Sequence, residues 1–143
     1  MFIISCATLF VYVITFNRIP HMIVDSFMGL TDNTIILLLI INLILLVAGT
    51  FMETSAILLI TVPLFLPLVL KMGIDPVHFG IIITVNTAIG LMTPPFGVCL
   101  FTSASVGGVP VATLSKRVLV FLFAQIVALG LITYIPPLVM FLV

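Results

Sequence analysis

Apolar residues run along this chain in blocks too long for one face of a soluble helix, and the polar positions gather in a few short clusters. Residues 34–52, 79–106 and 118–143 contain no charged side chain. A helix needs roughly 20 predominantly apolar residues to cross the hydrocarbon core of a bilayer, and these blocks approach or exceed that length. Residues 1–16 are apolar too and stop at Asn17, Arg18 and Pro20. At about 1.5 Å per residue they fall short of a full span, so they read as the end of a spanning helix. They lack the basic leader and small-residue cleavage site of a signal peptide. Residues 21–33 mix apolar positions with Asp25, Gly29 and Asp32, which predicts a short amphipathic stretch at the interface. Thr31 or Asp32 is the expected cap of the next helix.

The block at 33–70 is interrupted only by Gly49-Thr50-Phe51-Met52-Glu53-Thr54-Ser55. As one helix it would measure about 57 Å against a core of about 30 Å, so it must cross twice or fold back. Two arrangements fit: two full spans with a turn at Gly49, or a re-entrant helical hairpin whose tip is 49–55. Each arm is about 15 to 17 residues, short for a span, and the tip has few residues of a solvated loop. The hairpin is therefore the expectation, with Pro63 and Pro67 bending or weakening its second arm.

Gly73 should end that arm, and Asp75-Pro76 should start a new helix, with Asp as N-cap and Pro at the first helical position. Residues 77–106 are again apolar, broken at the centre by Gly90-Leu91-Met92-Thr93-Pro94-Pro95-Phe96-Gly97. Two adjacent prolines remove two N–H donors, and non-helical backbone at membrane depth survives only where protein buries it or it lines a cavity. A discontinuous helix is expected. After Gly107-Gly108-Val109-Pro110, residues 114–117 read as a basic approach to the last spanning helix, 117–134, which Ile135-Pro136-Pro137 ends. The fold expected is an all-α integral membrane unit over residues 1–143: a multi-span helical bundle with a re-entrant hairpin and a discontinuous helix.

Composition agrees with the pattern. Hydrophobic residues are 64% of the chain and charged residues 6%, whereas soluble domains carry about 25% charged residues. The formal net charge is zero, so nothing points to nucleic acid; the expected surroundings are membrane lipid. Cys6 and Cys99 lie in apolar segments and read as small core residues, not a disulfide framework. With a re-entrant hairpin, Arg18 and Lys71 face one side and Lys116 and Arg117 the other. The positive-inside count is thus a tie that leaves orientation open.

The two interruptions carry the candidate chemistry. Broken helices near a membrane midplane offer freed carbonyls, hydroxyls and helix-end partial charge to a hard cation such as sodium. Gly49 and Gly90 permit the backbone turns, while Thr50, Ser55 and Thr93 offer hydroxyl oxygens. Glu53 is the only acid inside an apolar segment, a functional candidate by position. Plainer readings stand beside these. The glycines can serve close helix packing, Pro94-Pro95 a kink, and Glu53 a solvated turn. Asn42, Asn86 and Gln125 read as interhelical hydrogen-bonding groups, and His78 as interfacial. No catalytic triad order or hydrolase elbow is present, and Glu53 has no titratable neighbour in sequence, so an enzyme is not expected.

Four runs in order, Gly49-Thr-Phe-Met-Glu-Thr-Ser-Ala56, Pro63 to Pro67, Gly73-Ile-Asp-Pro-Val-His-Phe-Gly80 and Gly90-Leu-Met-Thr-Pro-Pro-Phe-Gly97, resemble the C-terminal part of the large membrane subunit of TRAP (tripartite ATP-independent periplasmic) transporters. The resemblance implies one inverted repeat of an elevator fold of the ion-transporter superfamily, in the bacterial inner membrane. It implies sodium-coupled symport of a small organic acid, of C4-dicarboxylate or sialic acid type, with no other cofactor. The implied partners are a small TRAP membrane subunit and a periplasmic substrate-binding protein. Carried over, the sodium site comprises Gly49 at the tip with Gly90, Thr93 and the Phe96 carbonyl at the break. Thr50, Glu53, Ser55, Pro94 and Pro95 are candidates for substrate contact or gating. Phe96 stands where many relatives have Met, and Glu53 where many have Asp. The rival function is a non-transporting membrane assembly or channel-like subunit.

Overall fold

The computed structural model describes residues 2–30, 33–94 and 97–141. They form eight helices: α1 (Phe2–Phe16), α2 (Ile19–Leu30), α3 (Thr34–Phe51), α4 (Thr54–Lys71), α5 (Pro76–Met92), α6 (Val98–Gly107), α7 (Val111–Tyr134) and α8 (Pro136–Met140). No strand occurs among the described residues. Three helices, α3, α4 and α7, are long and apolar enough to cross a membrane. The chain is therefore an all-α integral membrane protein.

Local chemistry explains most boundaries. Asn33, not Thr31 or Asp32, caps α3, its side-chain oxygen accepting the Ile35 N–H at 3.0 Å; Thr31 and Asp32 lie outside the described residues. Asp75 accepts the Val77 N–H at 2.7 Å with Pro76 at the start of α5, so Asp75→Ala should cost about 1 kcal/mol, read as a lower thermal midpoint of the permease that carries this chain. Gly108 closes α6 in the left-handed region at φ 62°, where a side chain is strained. Pro63 and Pro67 do not interrupt α4, which runs through both; neighbouring helices hold such a helix together in a membrane. The last long helix begins at Val111 instead of 117, because Pro110 pre-sets its first turn, and residues 114–117 are helical. Cys6 and Cys99 are exposed, not core.

α5 is the central helix, touching α3, α4, α6, α7 and α8. α3 lies parallel to it: Asn42 meets Asn86 midway, and Gly49 meets Gly90 near the C-terminal ends. α7 is antiparallel to α5, with Ile132 beside His78 and Gln125 beside Met92. The core between α2, α3, α4 and α5 is built from Leu37, Ile41, Leu45, Phe65, Leu68 and Phe79, all buried. α3 and α4 are separated only by Met52 and Glu53, yet they make little contact with each other. α3 rests chiefly on α5, and α4 on α1, α2 and α5. Each arm has 18 residues, about 27 Å of helix, slightly longer than the sequence suggested.

Candidate functional site

The two interruptions read from the sequence meet. A methyl group placed on Gly90 would sit 2.6 Å from both the Cα and the carbonyl carbon of Gly49, and one on Gly49 would sit 3.0 Å from the Gly90 Cα. Real side chains do not approach backbone so closely, so α3 and α5 touch backbone to backbone there. Both helices end within three residues of this contact, at Phe51 and Met92. The last carbonyls of a helix lack intrahelical partners and carry its negative partial charge. Two such ends lie side by side here.

Hydroxyls flank the contact. Thr50 is buried and donates to the Val47 carbonyl at 2.7 Å. Thr93, the cap of α5, donates to the Ile89 carbonyl at 2.7 Å while its N–H bonds the Gly90 carbonyl at 3.0 Å. Each hydroxyl proton is thus committed to the backbone, and the oxygen lone pairs stay available to a ligand. Glu53 is exposed at the N-terminus of α4, where a carboxylate offsets the helix dipole, and it accepts the Ser55 hydroxyl at 2.9 Å. Those two candidates serve each other and the helix start. Pro94 is half-buried in the turn after Thr93; Pro95 and Phe96 lie outside the described residues.

Two further glycine and threonine positions belong to this region although the sequence reading assigned them no ligand role. A methyl on Gly97 would lie 2.7 Å from the Leu91 carbonyl oxygen and 3.0 Å from that of Thr93, so the chain can turn back on the end of α5 only at a glycine. Thr87 is fully buried and bonds the Ile83 and Thr84 carbonyls at 3.0 and 3.1 Å. The available signal was spacing: Thr87 and Gly90 share the α5 face that meets Gly49.

One turn before the contact, Asn86 is 0% exposed. Its amide N–H2 donates to the side-chain oxygen of Asn42 at 2.7 Å and to the Asn42 carbonyl at 3.2 Å. Asn42 in turn donates to Thr133 of α7 at 3.0 Å. These asparagines are interhelical bonding groups, as their place in apolar segments predicts. His78, in the first turn of α5, is buried against its neighbours, and its Nε2–H donates to the Ile132 carbonyl at 2.8 Å, pinning α5 to α7 at the end remote from the tip.

The contact lies partway along α7. Leu46 and Ile89 pack with Leu122 and Leu129, whereas Leu114 and Val118 sit beside α6 beyond the break, around a cavity of about 170 Å³. α6 and the first turns of α7 thus form a layer past the α3–α4 turn.

Comparison with known proteins places this architecture. The family model "Tripartite ATP-independent periplasmic transporter, DctM component" matches residues 1–138. The chain is 45% identical over 139 residues to an isethionate TRAP transporter permease protein DctMQ of Oleidesulfovibrio alaskensis, covering 97% of this chain and 22% of that protein. It is 45% identical over 136 residues to the C4-dicarboxylate TRAP transporter large permease protein DctM of Pseudomonas aeruginosa, covering 95% and 32%. It is 41% identical over 129 residues to the sialic acid TRAP transporter large permease protein SiaM of Vibrio cholerae, covering 90% and 30%. The chain spans no more than about a third of the length of these relatives.

Proposed function

Because the chain belongs to the DctM component family of tripartite ATP-independent periplasmic transporters, we propose that it forms the C-terminal part of a sodium-coupled permease for small organic acids. The observation that carries the reading is the backbone contact of Gly49 with Gly90 at the C-terminal ends of two parallel helices. Carbonyl oxygens at helix ends, with the Thr93 hydroxyl, suit sodium, a hard cation that prefers oxygen. The proposed site uses Gly49, Gly90, Thr93 and the Phe96 carbonyl. Thr50, Glu53, Ser55, Pro94 and Pro95 are the candidates for substrate contact or gating.

In this reading α3 and α4 form a re-entrant hairpin. Its support is the level of the tip, which lies beside the middle of α7 with a further helical layer past it. The chain in this reading is one inverted repeat of an elevator fold in the bacterial inner membrane. The substrate classes named for relatives, C4-dicarboxylates and sialic acid, are those proposed here, delivered by a periplasmic binding protein to a permease that includes a small membrane subunit. The role is transport and not catalysis, and this chain alone does not transport, since one hairpin cannot close the site.

The test is ion-specific stabilisation. A purified permease carrying this chain should gain several degrees of thermal midpoint in sodium over potassium at equal ionic strength, through preferential binding to the folded state. Thr93→Ala should remove most of that gain and leave the midpoint in potassium nearly unchanged. Equal stabilisation by both ions would favour a channel-like or assembly subunit and overturn the symport reading.

A further inference from the structure

Lys116 and Arg117 are exposed side chains in the second turn of α7, just before the uncharged stretch 118–134. No Asp or Glu follows Asp75 anywhere in the chain, and neither base has an ion-pair partner among the described residues. The helix supplies no compensation, because its N-terminal end carries positive partial charge. Two adjacent cations at the edge of an apolar span therefore have no counter-charge among the described residues.

The face below them has a definite shape. α7 turns Leu122, Leu129 and Thr133 into the protein. On the opposite side, Lys116, Val120, Phe123 and Val127 recur at helical spacing and fall on one stripe. Val120 is 73% exposed, Phe123 71% and Val127 47%. The stripe thus has a cation at its head and apolar side chains for about 17 Å below it, the dimensions of a headgroup and part of an acyl chain.

We infer that this stripe is a binding face for an anionic phospholipid, its phosphate on Lys116 and Arg117 and one acyl chain along Val120, Phe123 and Val127. Charge complementarity selects the occupant. A zwitterionic lipid would leave the pair uncompensated, and a purely apolar helix would bury it. Each basic residue at an anionic membrane surface strengthens binding about fivefold. The inference is independent of the sodium site, which lies on the other side of α7.

The experiment uses a permease carrying this chain, purified in detergent and supplied with phosphatidylglycerol or phosphatidylcholine of identical chains, with bound lipid counted by native mass spectrometry. The wild type should retain phosphatidylglycerol in preference. The double variant Lys116→Gln/Arg117→Gln should lower that retention about thirtyfold, while Lys71→Gln should leave it unchanged. Inorganic phosphate should not displace the lipid; displacement would mean a simple anion site and overturn the assignment. A nitroxide on Phe123→Cys in liposomes should be relaxed by oxygen, the lipid-soluble agent. A nitroxide shielded from oxygen would mean that protein covers this face, and equal retention of both lipids would likewise overturn the inference.

Discussion

Gly90→Ala should lower the stability of the permease by about 2–3 kcal/mol, the upper part of the range for overpacking, and should abolish sodium-dependent stabilisation. The added methyl would sit 2.6 Å from two backbone atoms of Gly49. Backbone has no flexible end to swing aside, so α3 and α5 must separate along the seam that joins the tip to the break. Gly49→Ala should be milder, because its methyl meets the Gly90 Cα at 3.0 Å and α3 ends two residues later. Gly80→Ala and Gly130→Ala serve as controls, since nothing lies within 4 Å of a methyl at either position; both should be neutral or slightly stabilising, as alanine favours a helix over glycine. Thermal unfolding in detergent with and without sodium reads all four. A Gly90 variant that behaves like the Gly80 variant would remove the contact from the description of this fold.

The asparagine pair should show non-additive energetics. Asn42→Ala strips Asn86 of its shorter acceptor, the Asn42 side-chain oxygen at 2.7 Å, and leaves it the backbone carbonyl at 3.2 Å; Asn86 is wholly buried, and a poorly satisfied buried donor costs about 1–3 kcal/mol. Asn86→Ala leaves Asn42 with its bond to Thr133 and should cost less. Asn42→Leu/Asn86→Leu removes both amides together and should cost clearly less than the sum of the single leucine variants, because neither amide is left facing a missing partner and only the Thr133 hydroxyl loses its donor. The oxygen of the Asn86 side chain already lacks a partner among the described residues, which limits how much the intact pair contributes. A double-mutant cycle on the thermal midpoint decides the matter, and strict additivity would show that the two amides act separately.

What was legible beforehand follows the range of the interactions. Asp75-Pro76, Gly108 and the helix break before Gly97 are set by residues within one turn of each other, and a reader of the chain finds them directly. The burial of His78 depends on Ile132, distant in sequence, and a polar residue just after a loop gives no sign of it. α7 starts at Val111 and runs through Lys116 and Arg117, a basic pair that marks an interface by composition but consists of good helix formers. The site shows both regimes. Gly49 and Gly90 stood out as turn formers in apolar runs, but their direct contact depends on α3 lying parallel to α5, a long-range pairing that no local spacing encodes. Thr87 and Gly97 went unassigned for the same reason: their importance lies in what approaches them.

The loose contact between α3 and α4 has a consequence for how the protein is made. These helices leave the ribosome as a pair, with little to hold them against one another, and the partner that secures α3 is still unsynthesised. Until α5 emerges, Asn42 has neither Asn86 to receive from nor a fixed place in the bilayer. Insertion of the α3–α4 pair is therefore provisional, and it is completed backwards by a downstream segment. Chains arrested before Pro76 should present a polar amide to lipid and be cleared by membrane proteolysis, whereas chains extended past Met92 should lock both arms at once.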